Sequence, residues 1–183
     1  MVISFHLMCV GLVLRNILDV VMHYLPLKKT TKYFIKKGSK VYCAFVDASK
    51  AFDNVLHNGL FVKLLKKKSY LRFVYILTNL YSNLPASVIW NGVIGPVFPM
   101  NCGVWQGGIL SPLLFSVYID DLLNDLHNSG YGVYVGSLFV GVIAYADDIC
   151  ILSCSRYALQ KLLDICSAYG QKWNIRFNPV KNK

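Results

Sequence analysis

The chain has 183 residues, 55% of them hydrophobic, with 19 lysines and arginines against 9 aspartates and glutamates, a formal charge of +10 at pH 7. That composition excludes a disordered tail and supports one domain with a core, while the positive excess points to a polyanionic partner, nucleic acid or an acidic membrane surface. The cysteines Cys9, Cys43, Cys102, Cys150, Cys154 and Cys166 form no Cys-x-x-Cys pair, which argues against a zinc site or disulfide framework. They read as reduced thiols of an intracellular protein, nuclear or cytoplasmic.

The opening run MVISFHLMCVGLVL is apolar, but a membrane-spanning helix needs about 20 such residues, and Arg15, Asn16 and Asp19 interrupt it. No positive charge precedes the run and no clear small-residue cleavage site follows it, so it does not read as a signal peptide. Its continuation predicts a helix near residues 10–24 whose apolar side packs into a domain, with no stable membrane association. A basic connection follows, with Lys28, Lys29, Lys32, Lys36, Lys37 and Lys40. It leads to KVYCAFVDA, a buried strand.

Leu56 to Tyr81 predicts two helices joined around Lys68 and Ser69. They carry a second basic cluster, Lys63, Lys66, Lys67, Lys68 and Arg72. Taken alone, both clusters read as solvated faces. Short strands around Ala86–Trp90 and Val93–Phe98 flank Asn91-Gly92, a favoured hairpin turn. Ser111-Pro112 predicts a capped helix start, followed by a stripe of Phe115, Ile119, Leu122 and Leu126. Asp120 and Asp121 beside that stripe are explained by a solvated face and are not assigned to a site. The stretch YGVYVGSLFVGVIAYADDICILS predicts two adjoining hairpins, and a helix follows near Arg156–Tyr169. No linker or repeat divides the chain, so one compact unit of class α+β is the simplest expectation.

The chemistry-bearing feature is Asp147-Asp148 inside apolar β-type sequence. Adjacent carboxylates there are costly unless a cation or hydrogen bonds compensate, and a tight turn would bring them to a sheet edge. Asp47 ends another apolar strand. If the two strands are neighbours, three carboxylates converge, a donor set suited to Mg²⁺ and to a two-metal phosphoryl displacement. For Asp148 or Asp53 alone, a turn or helix cap is the better reading.

Four segments resemble the reverse transcriptases of non-LTR retrotransposons and, more distantly, group II intron enzymes: FVDASKAFDNV, GVWQGGILSPLLFSVYIDDL, AYADDICILS and KWNIRFNPVKNK. Their order and approximate spacing match too, so the resemblance covers roughly residues 40–183. It implies the palm of a right-hand polymerase, an antiparallel sheet with packed helices, in residues 41–183, ending before a thumb, with a partial fingers-like helical and basic segment in residues 1–40. It further implies an RNA-directed DNA polymerase that uses two Mg²⁺ ions, or Mn²⁺, an RNA template, a DNA primer and deoxynucleoside triphosphates.

By that resemblance Asp47, Asp147 and Asp148 are the catalytic, metal-holding acids. Lys50, Ala51, Phe52, Gln106 and Gly107 form the nucleotide site, with Phe52 beneath the sugar as a gate against a 2′-hydroxyl. Lys181 matches the lysine proposed to protonate departing pyrophosphate. Further finger motifs, a thumb and an endonuclease domain are not recognisable, HYLPLKKTTK is longer than usual, and Trp105 stands where proline is more typical. The alternative expectation is an inactive retroelement remnant that at most binds nucleic acid.

Overall fold

The structure, a computed structural model, describes residues 25–82, 85–145 and 147–177. The helix expected near residues 10–24, and Lys181, lie outside them. Packing divides the chain into two compact units, one drawing on described residues 25–47 and 125–165, the other on 48–124 and 166–177. The division runs through continuous strands and helices, which is why no composition shift marks it.

In the first unit, α1 (Leu25–Lys36) replaces the expected basic connection. Pro26 is tolerated in its first turn, and the lysines that suggested a solvated loop are good helix formers. Leu27 and Phe34 pack against Val133, Cys150 and Leu152, while Lys28, Lys29, Lys32 and Lys36 are exposed. Gly38, at φ +79°, ends the helix; its N–H donates to the Ile35 carbonyl, and the Ser39 N–H donates to that of Phe34.

Strand β1 (Tyr42–Ser49) follows, and its first six residues pair antiparallel with the strand that carries Asp148. The two expected hairpins are present. In the second unit β1 continues into a turn and two helices, α2 (His57–Lys66) and α3 (Leu71–Ser82). Next come four two-residue strands: β2 (Pro85–Ala86), β3 (Ile89–Trp90), β4 (Val93–Ile94) and β5 (Phe98–Pro99). Asn91 (φ 49°) and Gly92 (φ 80°) make the tight turn between β3 and β4.

Helix α4 (Ser111–Asn128) buries the whole predicted stripe, each of Phe115, Ile119, Leu122 and Leu126 being 4% exposed or less. Beyond it, in the first unit, β6 (Tyr134–Val135) pairs with β7 (Leu138–Phe139), and β8 (Val142–Tyr145) pairs with β9 (Asp148–Ser153). β9 lies between β1 and β8, so its run Ile149–Leu152 is buried to 3% exposure or less. Helix α5 (Arg156–Trp173) and β10 (Arg176–Phe177) complete the described residues, with β10 pairing to Ala48 and Ser49 in the second unit. The class is α+β.

Two solvated-face expectations are corrected in the second unit. Lys63 is 1% exposed, and its Nζ donates to Asp121 Oδ2 at 2.5 Å and to the Tyr169 hydroxyl at 2.8 Å, 4.0 Å from the Trp173 ring centre. Burial pushes its pKa down, against the pull of Asp121. Lys67 pairs with Asp120. Asp120 and Asp121 are therefore partners of α2 rather than merely hydrated side chains.

Candidate active site

β1 and β9 run antiparallel in register from Tyr42↔Ser153 to Asp47↔Asp148. Alternation along each strand puts Cys43, Phe45 and Asp47 on one face together with Leu152, Cys150 and Asp148 opposite them. Asp47 and Asp148 are the last pair of that ladder, and Asp148 also pairs with Tyr145, closing the hairpin whose turn contains Asp147. The strand adjacency on which convergence depends is thus present. Asp148 is exposed, and Asp47 and Asp147 are half-buried.

Among the described residues, no three His, Cys, Asp or Glu side chains are grouped so as to hold a metal ion, so the expected convergence of Asp47, Asp147 and Asp148 into one three-carboxylate cluster is not present. The donor set nonetheless fits Mg²⁺, which commonly binds through one or two carboxylates and completes its shell with water and substrate phosphates. On the same face, Cys43 Sγ lies 3.3 Å from Cys150 Sγ. Their hydrogen bond holds the exposed Cys43 thiol below its ordinary pKa, and the bond together with burial pushes Cys150 up.

In the second unit the turn after β1 carries Lys50, Ala51, Phe52 and Asp53. Lys50 is exposed and adopts φ 51°, a left-handed conformation that costs a non-glycine residue about 1 kcal/mol. Its carbonyl accepts the Asp53 and Asn54 N–H groups, closing the turn. Ala51 is buried at 3% exposure. Phe52 is half-buried, its ring centre 5.2 Å from that of Phe115 on α4.

The loop before α4 is fastened to this turn. The Val104 N–H donates to the Phe52 carbonyl at 2.7 Å and the Gly103 N–H to that of Val55 at 2.8 Å. Gly103 has φ 93°, and a Cβ there would come within 3.0 Å of the Asp53 backbone. Gln106 Nε2 donates to Asp53 Oδ1 at 2.7 Å, and Gly107 (φ 81°) follows, exposed like Gln106. Ser111, expected as an N-cap, is instead the first residue of α4, and its Oγ donates to the Trp105 carbonyl at 2.5 Å. The hydroxyl ties the loop back to the helix.

Residues 4–183 match the family Reverse transcriptase (RNA-dependent DNA polymerase). The chain belongs to this family. It is 33% identical over 155 residues to the RNA-directed DNA polymerase from mobile element jockey of Drosophila funebris, covering 80% of this chain and 16% of that protein. It is 34% identical over 154 residues to the retrovirus-related Pol polyprotein from type-2 retrotransposable element R2DM of Drosophila melanogaster, covering 82% and 14%. The chain therefore spans no more than 16% of either relative. Its fold is similar to that of apo telomerase from Candida tropicalis truncated from the C-terminal domain, with TM-score 0.67, 16% identity, and coverage of 98% of this chain and 40% of that one.

The described part of the chain contains no helix long and apolar enough to cross a membrane. The structure brings Phe52, Gln106 and Gly107 to adjoining loops of the second unit, and it pairs Asp47 with Asp148 in the first. Asp53, in the turn after β1, has a partner that no local pattern signals. Its backbone closes the turn as expected, and its carboxylate meets Gln106, 53 positions away.

Proposed function

We propose that this chain contributes the palm of a right-hand polymerase with part of the fingers, and that it extends a DNA primer by copying an RNA template. The observation that carries the reading is the Asp47↔Asp148 pair at the end of the β1–β9 ladder, with Asp147 in the adjoining turn. Asp47 and Asp148 offer hard oxygen donors from facing strands, and Asp147 adjoins them in the turn, ligand types that divalent cations take together with water and substrate phosphates. Asp47, Asp147 and Asp148 would hold two divalent cations, Mg²⁺ or in its place Mn²⁺. Once bound, these would supply the positive charge that eases deprotonation of the primer 3′-hydroxyl and offsets charge on the α-phosphate and departing pyrophosphate.

The remaining work falls to side chains. Phe52 would lie beneath the sugar of a deoxynucleoside triphosphate, with Ala51 beside it in the same turn and Lys50 beside the phosphates. Gln106 and Gly107 meet the nucleotide and template, Gly107 permitting close backbone approach. Lys181 would protonate the leaving pyrophosphate. Residues 1–40 would belong to the fingers side and residues 41–183 to the palm. The exposed lysines of α1 would track the phosphate backbone, so affinity should fall as salt rises. The name of the jockey relative includes RNA-directed DNA polymerase, and one structural neighbour is described as Candida albicans telomerase in complex with a telomeric RNA fragment, in keeping with an RNA partner.

A Mg²⁺ titration of single-nucleotide incorporation on an RNA template, with EDTA and Mn²⁺ arms, tests this reading. Incorporation that rises with Mg²⁺, is abolished by EDTA and returns with Mn²⁺ is expected. Binding of the template–primer with no incorporation at any metal concentration would identify an inactive remnant instead.

A further inference from the structure

Gln106 is clamped by a side chain that has no role of its own in the reading above. Its Nε2 donates to Asp53 Oδ1 at 2.7 Å, although both residues are exposed. Satisfying a buried group therefore does not explain the contact. Its effect is to fix direction: with one N–H committed to Asp53, the amide oxygen and the second N–H of Gln106 are left facing elsewhere in a defined orientation. The backbone reinforces the clamp, because Val104 bonds the carbonyl of Phe52, immediately before Asp53, and Gly103 packs against Asp53 itself. An ionised carboxylate only accepts hydrogen bonds, so Asp53 is unsuited to grip the triphosphate directly. It can act through Gln106.

We infer that Asp53 is a positioning residue for the incoming deoxynucleoside triphosphate, its carboxylate orienting the Gln106 amide and holding the Gln106–Gly107 loop against the turn that bears Phe52. What is positioned rests on the polymerase reading; the clamp does not. Asp53→Asn keeps an acceptor oxygen, whereas Asp53→Ala removes it. Gln106→Glu sets two carboxylates face to face, and Gln106→Glu with Asp53→Asn restores a donor–acceptor pair.

The test uses the whole 183-residue chain with two readouts, steady-state nucleotide incorporation and backbone amide exchange over residues 103–108. Asp53→Ala should raise the KM for the deoxynucleotide about tenfold, the loss expected for one charge-assisted hydrogen bond, with kcat within about twofold. It should also speed exchange in the loop while α4 stays protected. Asp53→Asn should rescue both readouts, and the double variant should restore loop protection lost in Gln106→Glu.

Loop exchange unchanged by Asp53→Ala overturns the clamp. Faster exchange with an unchanged KM overturns the positioning role. If the wild type incorporates nothing while exchange shifts as expected, the polymerase reading and the positioning role fall together and the clamp alone stands.

Discussion

Asp47 and Asp148 stand directly opposite each other as the last of six residue pairs that join β1 to β9. Directly opposed side chains have Cβ atoms about 5 Å apart, and like charges at that spacing destabilise a sheet. Asp47→Asn or Asp148→Asn should therefore raise the stability of the metal-free protein by about 0.5 kcal/mol, a rise of about 1–2 °C in Tm. Mg²⁺ should raise the Tm of the wild type and have a smaller effect on either variant. Scanning calorimetry with and without Mg²⁺ checks this, and a lower metal-free Tm in both variants would contradict it.

Lys63 depends on Asp121. Removing one partner of a buried pair leaves an uncompensated charge, and because Asp121 is 44% exposed, water can replace part of what it supplies. Asp121→Ala should cost about 2 kcal/mol at pH 7, less than the roughly 3–5 kcal/mol lost when a fully buried pair is broken. The pH dependence has a definite sign. Burial lowers the folded-state pKa of Lys63 from 10.5, so the unfolded chain binds its proton more tightly and the penalty fades as pH climbs from the folded value toward 10.5. Urea unfolding of variant and wild type at pH 7 and 9.5 should show the gap narrowing. A gap that widens would mean that Lys63 is not the group responsible.

Phe52 separates a sugar gate from ordinary packing. Its ring is half-buried with its centre 5.2 Å from that of Phe115, so truncation removes some packing in either case. Phe52→Val should raise ribonucleotide use relative to deoxynucleotide use, because the clash with a 2′-hydroxyl is lost. A purely structural phenylalanine would instead cost about 3 kcal/mol and depress both substrates together. The kcat/KM ratio for dCTP against CTP, read beside a melting curve, decides between them.

The thiols should differ in reactivity. Cys43 is exposed and its thiol is held low by the Cys150 contact, whereas desolvation raises that of Cys154, also exposed. Burial pushes Cys166 up to about 12. Iodoacetamide at pH 7.5 should alkylate Cys43 before Cys154 and leave Cys166 until the protein unfolds. Peptide mass spectrometry over a time course gives the order, and faster labelling of Cys154 would contradict it.

What could be read from the chain was what has a short period or a strong local signal. β1, the two C-terminal hairpins, the Asn91-Gly92 turn and the α4 stripe each satisfy that condition. α1 gives a weaker signal, because its many lysines obscure the spacing of Leu27, Thr30 and Phe34, although Pro26 and Gly38 bracket it. β10 is two residues long, too short for alternation to register. Lys63 looked like one more surface lysine because its buried setting is made by Asp121, Tyr169 and Trp173, all remote in sequence. The Asp53–Gln106 clamp has the same origin. Long-range partners turn ordinary polar residues into structural ones, and no local pattern announces them.

The central claim, nucleotidyl transfer at Asp47, Asp147 and Asp148, is tested most directly by single-turnover extension of a DNA primer on an RNA template, with enzyme in excess and Mg²⁺ saturating. Asp47→Asn and Asp147→Asn should each slow incorporation by about a thousandfold or more while retaining a folded melting transition, since each removes a hard ligand from the reacting centre. Near-wild-type incorporation by either variant would contradict the assignment of that carboxylate and, for both together, the account as a whole.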